Sequence, residues 1–385
     1  MQVITEHKVV PKLRFGEFRD DWKKKQLLDF CRFFSGGTPS SSNREYYEGD
    51  IPFIGSGDIY DSQVFKFISQ EAFNSSSAKL VEKGDLLYAL YGANSGESAI
   101  SKLEGAINQA ILCIRTNESI EYLNYVLVSN KDKIVSKYLQ GGQGNLSAQI
   151  IKRLRYNMPL LEEQQKIASF LSAVDKKLQQ LTKKAALLEA YKKGVMQKIF
   201  SQALRFKDEN GNNYADWEEK KLGELLDYEQ PTKYIVKSTE YDNSYKIPVL
   251  TAGKTFVLGY TDESENIYFK TPVIIFDDFT MANKFVDFPF KVKSSAMKIL
   301  KPINKDVNMI FIYNSMQMIK YPKGDEHKRF WISEYSKIKI GYPSFEEQKK
   351  IANFLSSIDK KIELVSTQIE NTKAFKKGLL QQMFV

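Results

Sequence analysis

Two stretches of the chain carry apolar residues at spacings that alternate between four and three. In the first they are Ile167, Leu171, Val174, Leu178, Leu181, Ala185 and Leu188; in the second they are Ile351, Leu355, Ile358, Ile362, Val365 and Ile369. That alternation keeps a narrow apolar stripe on one side of a helix and is the seam of a coiled coil. Lys192 and Lys376 would fall on the seam next, with Tyr191 and Phe375 one position earlier, which predicts that both helices shift phase there. Gly194 and Gly378 follow. Glycine inside a helix costs up to about 1 kcal/mol against alanine, and a close helix crossing is the expected reason for both. Pro159 and Pro343 mark the boundary before each helix. Glu162-Glu163 and Glu346-Glu347 then fall in the first turn, where carboxylates favour the helix dipole. Helices of about 39 residues would run roughly 58 Å.

The two helices are copies of one unit. Residues 157–200 and 341–384 align without a gap at an offset of 184, with 19 identities in 44 positions, where chance gives about three. A repeat of this length means two similar halves. Residues 203–228, which follow the first helix, resemble 12–30, so one strap-like segment both follows helix one and opens the chain. This predicts a nearly cyclic, pseudo-two-fold molecule in which Leu13 and Phe384 are neighbours. The organisation is an N-terminal strap (1–22), a globular region (23–156), a long helix (157–200), the strap repeat (201–218), a second globular region (219–340) and a second long helix (341–385).

Both globular regions read as mixed α/β. The runs 51–54, 85–91 and 110–114 are strand-like, with counterparts at 247–250, 273–276 and 296–300. Residues 121–139 and 306–319 look helical. The fold is expected to be shared while the exposed residues differ.

Composition narrows the function. At 385 residues, with 42% hydrophobic and 27% charged residues, the chain is that of a globular protein with two or more domains. No apolar run approaches the roughly 18 residues of a membrane span, and the N-terminus lacks a signal-peptide core. Two cysteines, Cys31 and Cys113, point to a reducing compartment, the cytoplasm. The net charge of +9 fits a polyanion partner, nucleic acid above all.

Motifs for catalysis are missing. Gly253-Lys254-Thr255 lacks the glycine a phosphate loop needs five residues earlier, where Pro248 stands, so a turn is the better reading. No amino-methyltransferase tetrapeptide and no Pro-Asp nuclease dipeptide occurs. Asp277-Asp278 is read as a solvated turn or cap. His7, His327 and the two cysteines form no zinc spacing, so no metal site is expected. Gly92, Gly96 and Gly105 make no dinucleotide fingerprint. The chain reads as a binding protein.

Three stretches in the first half mix glycine with polar, aromatic and basic residues: 35–47, 88–98 and 140–149. Glycine allows close backbone approach, and Ser, Thr, Asn and Gln bond phosphate or base edges. The candidate nucleic-acid contacts here are Gly36, Gly37, Thr38, Ser40, Arg44, Tyr46, Tyr47, Tyr88, Tyr91, Asn94, Ser95, Gln143 and Asn145. Ordinary glycine-rich loops are the other reading. In the second half the candidates are Lys254, Thr255, Thr280, Lys284, Lys291, Lys293, Ser294, His327, Lys328 and Arg329.

Several of these segments, taken together, resemble one family: the specificity subunit of type I restriction–modification systems. They are SGGTPS at 35–40, Gly49-Asp50-Ile51-Pro52, Gly84-Asp85-Leu86-Leu87 with Tyr91-Gly92, GAINQA at 105–110, Asn145-Leu146-Ser147, and the Pro-x-x-Glu-Glu-Gln entry to each helix, closed by Lys192-Lys193-Gly194 and Lys376-Lys377-Gly378. The resemblance covers nearly the whole chain. The second half lacks the SGGTPS and GAINQA pieces and resembles another class of recognition domain. The family implies an α+β fold: two mixed α/β target-recognition domains in pseudo-two-fold tandem, separated by two long antiparallel helices forming a coiled coil. It implies that each domain reads one half of a bipartite, asymmetric site on double-stranded DNA and that the helices set the spacer. Two methyltransferase subunits and restriction subunits would be the partners. S-adenosylmethionine, ATP and Mg2+ would be used by those partners, with no cofactor bound by this chain. The alternatives are a coiled-coil adaptor without DNA specificity and a divergent nuclease.

Overall fold

The β-branched and aromatic runs fold as short strands in three-layer units. The structure is a computed structural model that describes residues 10–139, 145–251, 255–320 and 330–385. Clustering of contacts gives two units: Met1–Leu181 with Gln368–Val385, and Thr182–Thr367, so each long helix contributes one part to each unit.

The first unit holds β1 (Lys23–Gln26), α1 (Leu27–Phe30), β2 (Cys31–Ser35), β3 (Ile51–Ile54), β4 (Phe67–Ile68), α2 (Gln70–Asn74), β5 (Lys79–Val81), β6 (Leu86–Ala89), β7 (Ser98–Ile100), β8 (Gly105–Ile107), β9 (Ile111–Thr116), α3 (Ile120–Leu139), α4 (Ala148–Lys152), β10 (Arg155–Met158) and the start of α5 (Leu161–Phe200). One sheet has the order β2-β9-β6-β7 and a second β4-β3-β8-β5. Every residue of β6 is buried, because both faces of its sheet are covered. Leu86, Tyr88, Leu112 and Ile114 pack with Tyr122, Leu123 and Val126 of α3. Their alternates Leu87, Ala89, Ile111 and Cys113 pack with Ile54 and Ile107 of the second sheet. Cys31 and Cys113 are free, buried thiols.

The second unit repeats this plan with β11 (Glu218–Lys221), α6 (Leu222–Leu225), β12 (Leu226–Glu229), β13 (Ile247–Leu250), β14 (Val257–Thr261), β15 (Val273–Asp277), β16 (Asn283–Val286), β17 (Lys291–Val292), β18 (Met297–Pro302), α7 (Met309–Gln317), α8 (Phe330–Ser333), β19 (Lys339–Tyr342) and the start of α9 (Phe345–Met383). Its sheets run β12-β18-β15-β16 and β14-β13-β17. The correspondence reaches the strand directions: β3 pairs with β8 in parallel, as β13 does with β17. The helix face of the β15 sheet buries Ile274, Phe276 and Leu300 with Phe311 and Ile312. The other face buries Val273, Ile275 and Ile299 with Leu250 and Val292. One fold thus stands twice on sequences that share little outside the long helices and the straps.

Each unit is closed by the same clasp. Glu163, buried at the start of α5, accepts two hydrogen bonds from the Arg14 guanidinium, both 2.7 Å, and one from Trp22 Nε1 at 3.3 Å. Glu347 at the start of α9 accepts from Arg205 at 3.2 and 2.8 Å and from Trp217 Nε1 at 3.0 Å. The next residue is equally buried and equally used. Gln164 donates to Pro159 O and accepts from the Ser119 amide, while Gln348 donates to Pro343 O and accepts from the Asn308 amide. These two residues tie the strap, the helix start and the globular layer together. The strap also meets the end of a long helix in each unit. Leu204 N–H donates to Lys198 O, and Leu13 N–H donates to the equivalent Gln382 O at 2.9 Å, two residues before Phe384.

The seam residues face inward. Ile167, Leu171 and Val174 are buried with Leu379 and Met383, and Ile351, Leu355 and Ile358 with Val195, Met196 and Ile199. In each unit the start of one long helix therefore packs on the end of the other, the antiparallel pairing. Val365 is buried, and Leu178, Leu181 and Ile362 are half-buried.

Three expectations are corrected. The seam does not shift phase: Tyr191 and Phe375 are 53% and 55% exposed. Lys192 and Lys376 stay on the stripe, each paired with an aspartate of the other long helix in its own unit, Asp359 and Asp175. A lysine can occupy the seam because its stem packs while its ammonium reaches a carboxylate. Gly194 and Gly378 mark no close crossing, since a Cβ at either position would meet nothing within 4 Å. Asp277 and Asp278 are not solvated; they are 7% and 5% exposed. Asp278 pairs with buried Lys298 at 3.2 Å and accepts the Trp331 amide, and Asp277 caps the turn that follows β15.

Candidate nucleic-acid interface

In the first unit the polar candidates gather where β6 and β8 end. Leu90, one residue past β6, is the junction: its N–H donates to Ala110 O, and its carbonyl accepts from the Leu146 amide at 2.9 Å and from Ser95 Oγ at 3.0 Å. This draws the 90–97 turn, the 108–110 turn and the 145–147 segment together. The 35–47 stretch joins them through Thr38 Oγ1, which donates to Gln109 Oε1 at 2.7 Å. Asn94 Nδ2 reaches across to Ser56 O at 3.1 Å, and Tyr60 donates to Glu97 at 2.6 Å. Burial would raise the Glu97 carboxyl, but hydrogen bonds from Lys131 and Tyr60 hold it below the ordinary carboxylate range. The edge is a set of cross-braced loops offering Thr38, Ser40, Arg44, Gln109 and Asn145 to solvent, with Tyr91, Asn94 and Ser95 half-exposed. Tyr46 is half-buried, and Tyr47 donates to Pro39 O at 2.8 Å, which seats its short helix against the same loop.

In the second unit the candidates gather at the matching strand ends. Lys293 N–H donates to Leu250 O at 2.8 Å, and Thr251 N–H to Phe256 O, which sets Lys293, Ser294 and Thr255 beside the ends of β13 and β17. Thr280 sits in the turn after β15, its hydroxyl on Asp277 Oδ2 at 2.6 Å, and Lys284 is exposed on the returning strand. The equivalence is topological, since β13, β15 and β17 stand where β3, β6 and β8 do. The chemistry differs. The first edge is mostly neutral and amide-rich; the second carries lysine and threonine.

Some candidates do not reach the surface. Tyr88 is fully buried among the residues facing α3, since it lies on β6 itself and not on the turn beyond it. Lys291 is 1% exposed, its ammonium held by Glu263 and by Glu265 O, both at 2.8 Å. Gly36 and Gly37 serve the chain's own packing. A Cβ on Gly36 would lie 1.7 Å from Ile107 O, and one on Gly37 1.9 Å from Ser77 Oγ, so the close approach they permit is to neighbouring protein. Gln143, Lys254, His327, Lys328 and Arg329 lie outside the described residues. Gln109 was missed although its segment, GAINQA, stood out in the sequence; no local pattern shows that it bridges two loops. Among the described residues no cluster of three metal-ligating side chains occurs, and no helix is long and apolar enough to cross a membrane.

Comparison with known proteins bears on the family and the fold. A family model described as the type I restriction modification DNA specificity domain matches twice, at residues 19–190 and 214–373. A 142-residue stretch is 51% identical to the type I restriction enzyme EcoR124I/EcoR124II specificity subunit of Escherichia coli, covering 36% of this chain and 35% of that protein. Over 94% of its length the chain is 27% identical to the type I restriction enzyme MjaVIII specificity subunit of Methanocaldococcus jannaschii, of which 91% is covered. Among solved structures, the type I restriction-modification S subunit from M. genitalium superposes with a TM-score of 0.67 at 18% identity, over 98% of this chain and 99% of that one. A chain from a study of complex assembly in a type I R-M system gives 0.52 at 14% identity, over 94% and 97%. At these identities the structures speak for the fold.

Proposed function

The chain belongs to the type I restriction–modification DNA specificity family, and we propose that each of its units reads one half of a split, asymmetric site on double-stranded DNA. The observation that carries this is the pairing of one fold with two edges. Matched strand ends present Thr38, Tyr91, Asn94, Gln109 and Asn145 in one unit and Thr255, Thr280, Lys284 and Lys293 in the other. Amide side chains can pair bidentately with adenine edges, and lysine pairs with guanine edges or phosphates. Bracing matters as much as residue type, because loops fixed by cross-links lose little freedom on binding.

In this reading the chain catalyses nothing. It works in the cytoplasm as the scaffold for two adenine-N6 methyltransferase subunits and for restriction subunits, and those partners use S-adenosylmethionine, ATP and Mg2+. Adenine must leave the stack to be methylated, so a separate subunit that grips the duplex is chemically useful. The repeated helices act as the ruler between half-sites.

Exchange of residues 23–156 for those of a relative with another target tests the proposal. Methylation mapping is expected to show one half-site changed and the other retained. Two altered half-sites, or none, would overturn it. Insertion of one heptad into both long helices should lengthen the unread spacer by about 10 Å, roughly three base pairs at ~3.4 Å each, and leave both half-sites as they were.

A further inference from the structure

Each reading edge also displays a phenylalanine. Phe65 is 87% exposed and Phe279 52%. Single exposed apolar side chains are common, so exposure alone carries nothing; what distinguishes these two is how they are held. Phe65 lies between β3 and β4 on a loop anchored by buried Ile59 and Val64. The Phe53 amide closes that loop on Lys66 O at 2.9 Å, and Ser56 and Tyr60 tie it to the 90–97 turn. Phe279 stands in the turn that leaves β15. Its N–H donates to Asp277 Oδ1 at 2.9 Å, Met281 N–H to Asp277 O at 2.9 Å, and Met281 adopts φ 60°. A left-handed conformation at a methionine is unfavourable, so the turn is maintained by its bonds to the buried aspartate. Both loops are tied down by hydrogen bonds and leave the ring exposed.

A phenyl ring offers no donor or acceptor to a base edge and no charge to a phosphate. Apolar side chains meet DNA in two ways, against a thymine methyl in the major groove or inserted into a base step that they unstack. Methylation of a base inside a duplex requires unstacking nearby. Resting on the DNA-reading role above, we propose that Phe65 and Phe279 are wedges, each opening one base step in the half-site its own unit reads. The polar residues beside them choose the sequence; the ring loosens it.

The test uses the chain co-expressed with its methyltransferase partner, on duplexes carrying its mapped site. 2-Aminopurine replaces bases one at a time, outside the methylated adenine. The wild-type complex is expected to raise the fluorescence at one step in each half-site. Phe65→Ala should abolish the rise in one half-site only, and Phe279→Ala that in the other. Each should weaken binding about tenfold, as loss of one aromatic–base stack does, with the salt dependence unchanged because no phosphate contact is lost. Phe65→Trp should keep the signal. Because both rings are exposed, the alanine variants should fold and melt as the wild type does. Bound DNA with no rise at any step, or a rise untouched by both alanine variants, overturns the wedge. So does loss of the methyltransferase subunit in place of the signal, since the ring would then be a protein contact. A wild-type complex that binds no duplex at all overturns the DNA-reading role together with the wedge.

Discussion

The clasp and the candidate DNA-facing edge obey different rules, although both occur twice. At the clasp the two units agree atom for atom. A buried glutamate takes an arginine and a tryptophan from the strap, and the glutamine beside it holds a proline carbonyl and a loop amide. At the edge they agree only in which strands end there. A buried carboxylate tolerates no change of partner, because any unmatched charge or donor is costly away from water. A loop at a strand end has no such constraint, and its side chains answer to what they bind. The difference separates the part of the molecule that carries its architecture from the part to which the proposed function assigns specificity.

The comparison breaks most visibly at the glutamates. Glu347→Ala leaves the Arg205 guanidinium and the Trp217 indole without their acceptor, and Glu163→Ala does the same to Arg14 and Trp22. Removing one partner of a buried pair costs about 3 kcal/mol or more; the arginines here are 13% and 22% exposed, which favours the lower end. Urea unfolding should show losses of about 3 kcal/mol for each variant. A loss at only one of the two sites would mean that the repeat is shared in sequence but not in energetics.

The clasp also marks the limit of what the sequence discloses. The long helices were legible because the four–three spacing is a local signal that survives any context. Strands β6, β9, β15 and β18 were legible because both faces of their sheets are covered, which leaves short continuous apolar runs. Glu163 was read as a dipole partner, which fits its place in the first turn, but its true partner Arg14 lies 149 residues away. The convergence at Leu90 was hidden in the same manner: the 35–47 and 88–98 stretches and the 145–147 segment were visible one by one, and only the sheet order brings their described residues to one edge. Lys192 and Lys376 were misread because a pattern built on apolar residues counts every lysine as a break.

A smaller and opposite effect is expected on the outer side of the frame. Gly194 and Gly378 recur at the same place in both helices, yet neither backs onto anything. Gly194→Ala and Gly378→Ala should each stabilise the protein by up to about 1 kcal/mol, the difference in helix propensity. Thermal melting of the two variants would show it. A destabilised variant would mean that the position is covered in the working complex or serves as a hinge, and would move these glycines from the frame to the functional side of the comparison.

The smallest effect concerns the seam lysines, which belong to the frame but resemble surface residues. The Lys192–Asp359 pair has side chains 20% and 48% exposed, and Lys376–Asp175 has 23% and 37%. Water screens such pairs, so a double-mutant cycle on either should give a coupling of about 0.5 kcal/mol. Their value lies elsewhere. A charged residue on an otherwise apolar seam penalises every register but the one that supplies its partner. Replacing both lysines by leucine should therefore leave stability unchanged or raise it, while allowing the helices to slip by whole turns. Methylation mapping would then report spacers of more than one length from a single preparation. One sharp spacer with the double leucine variant would show that the clasps alone hold the register.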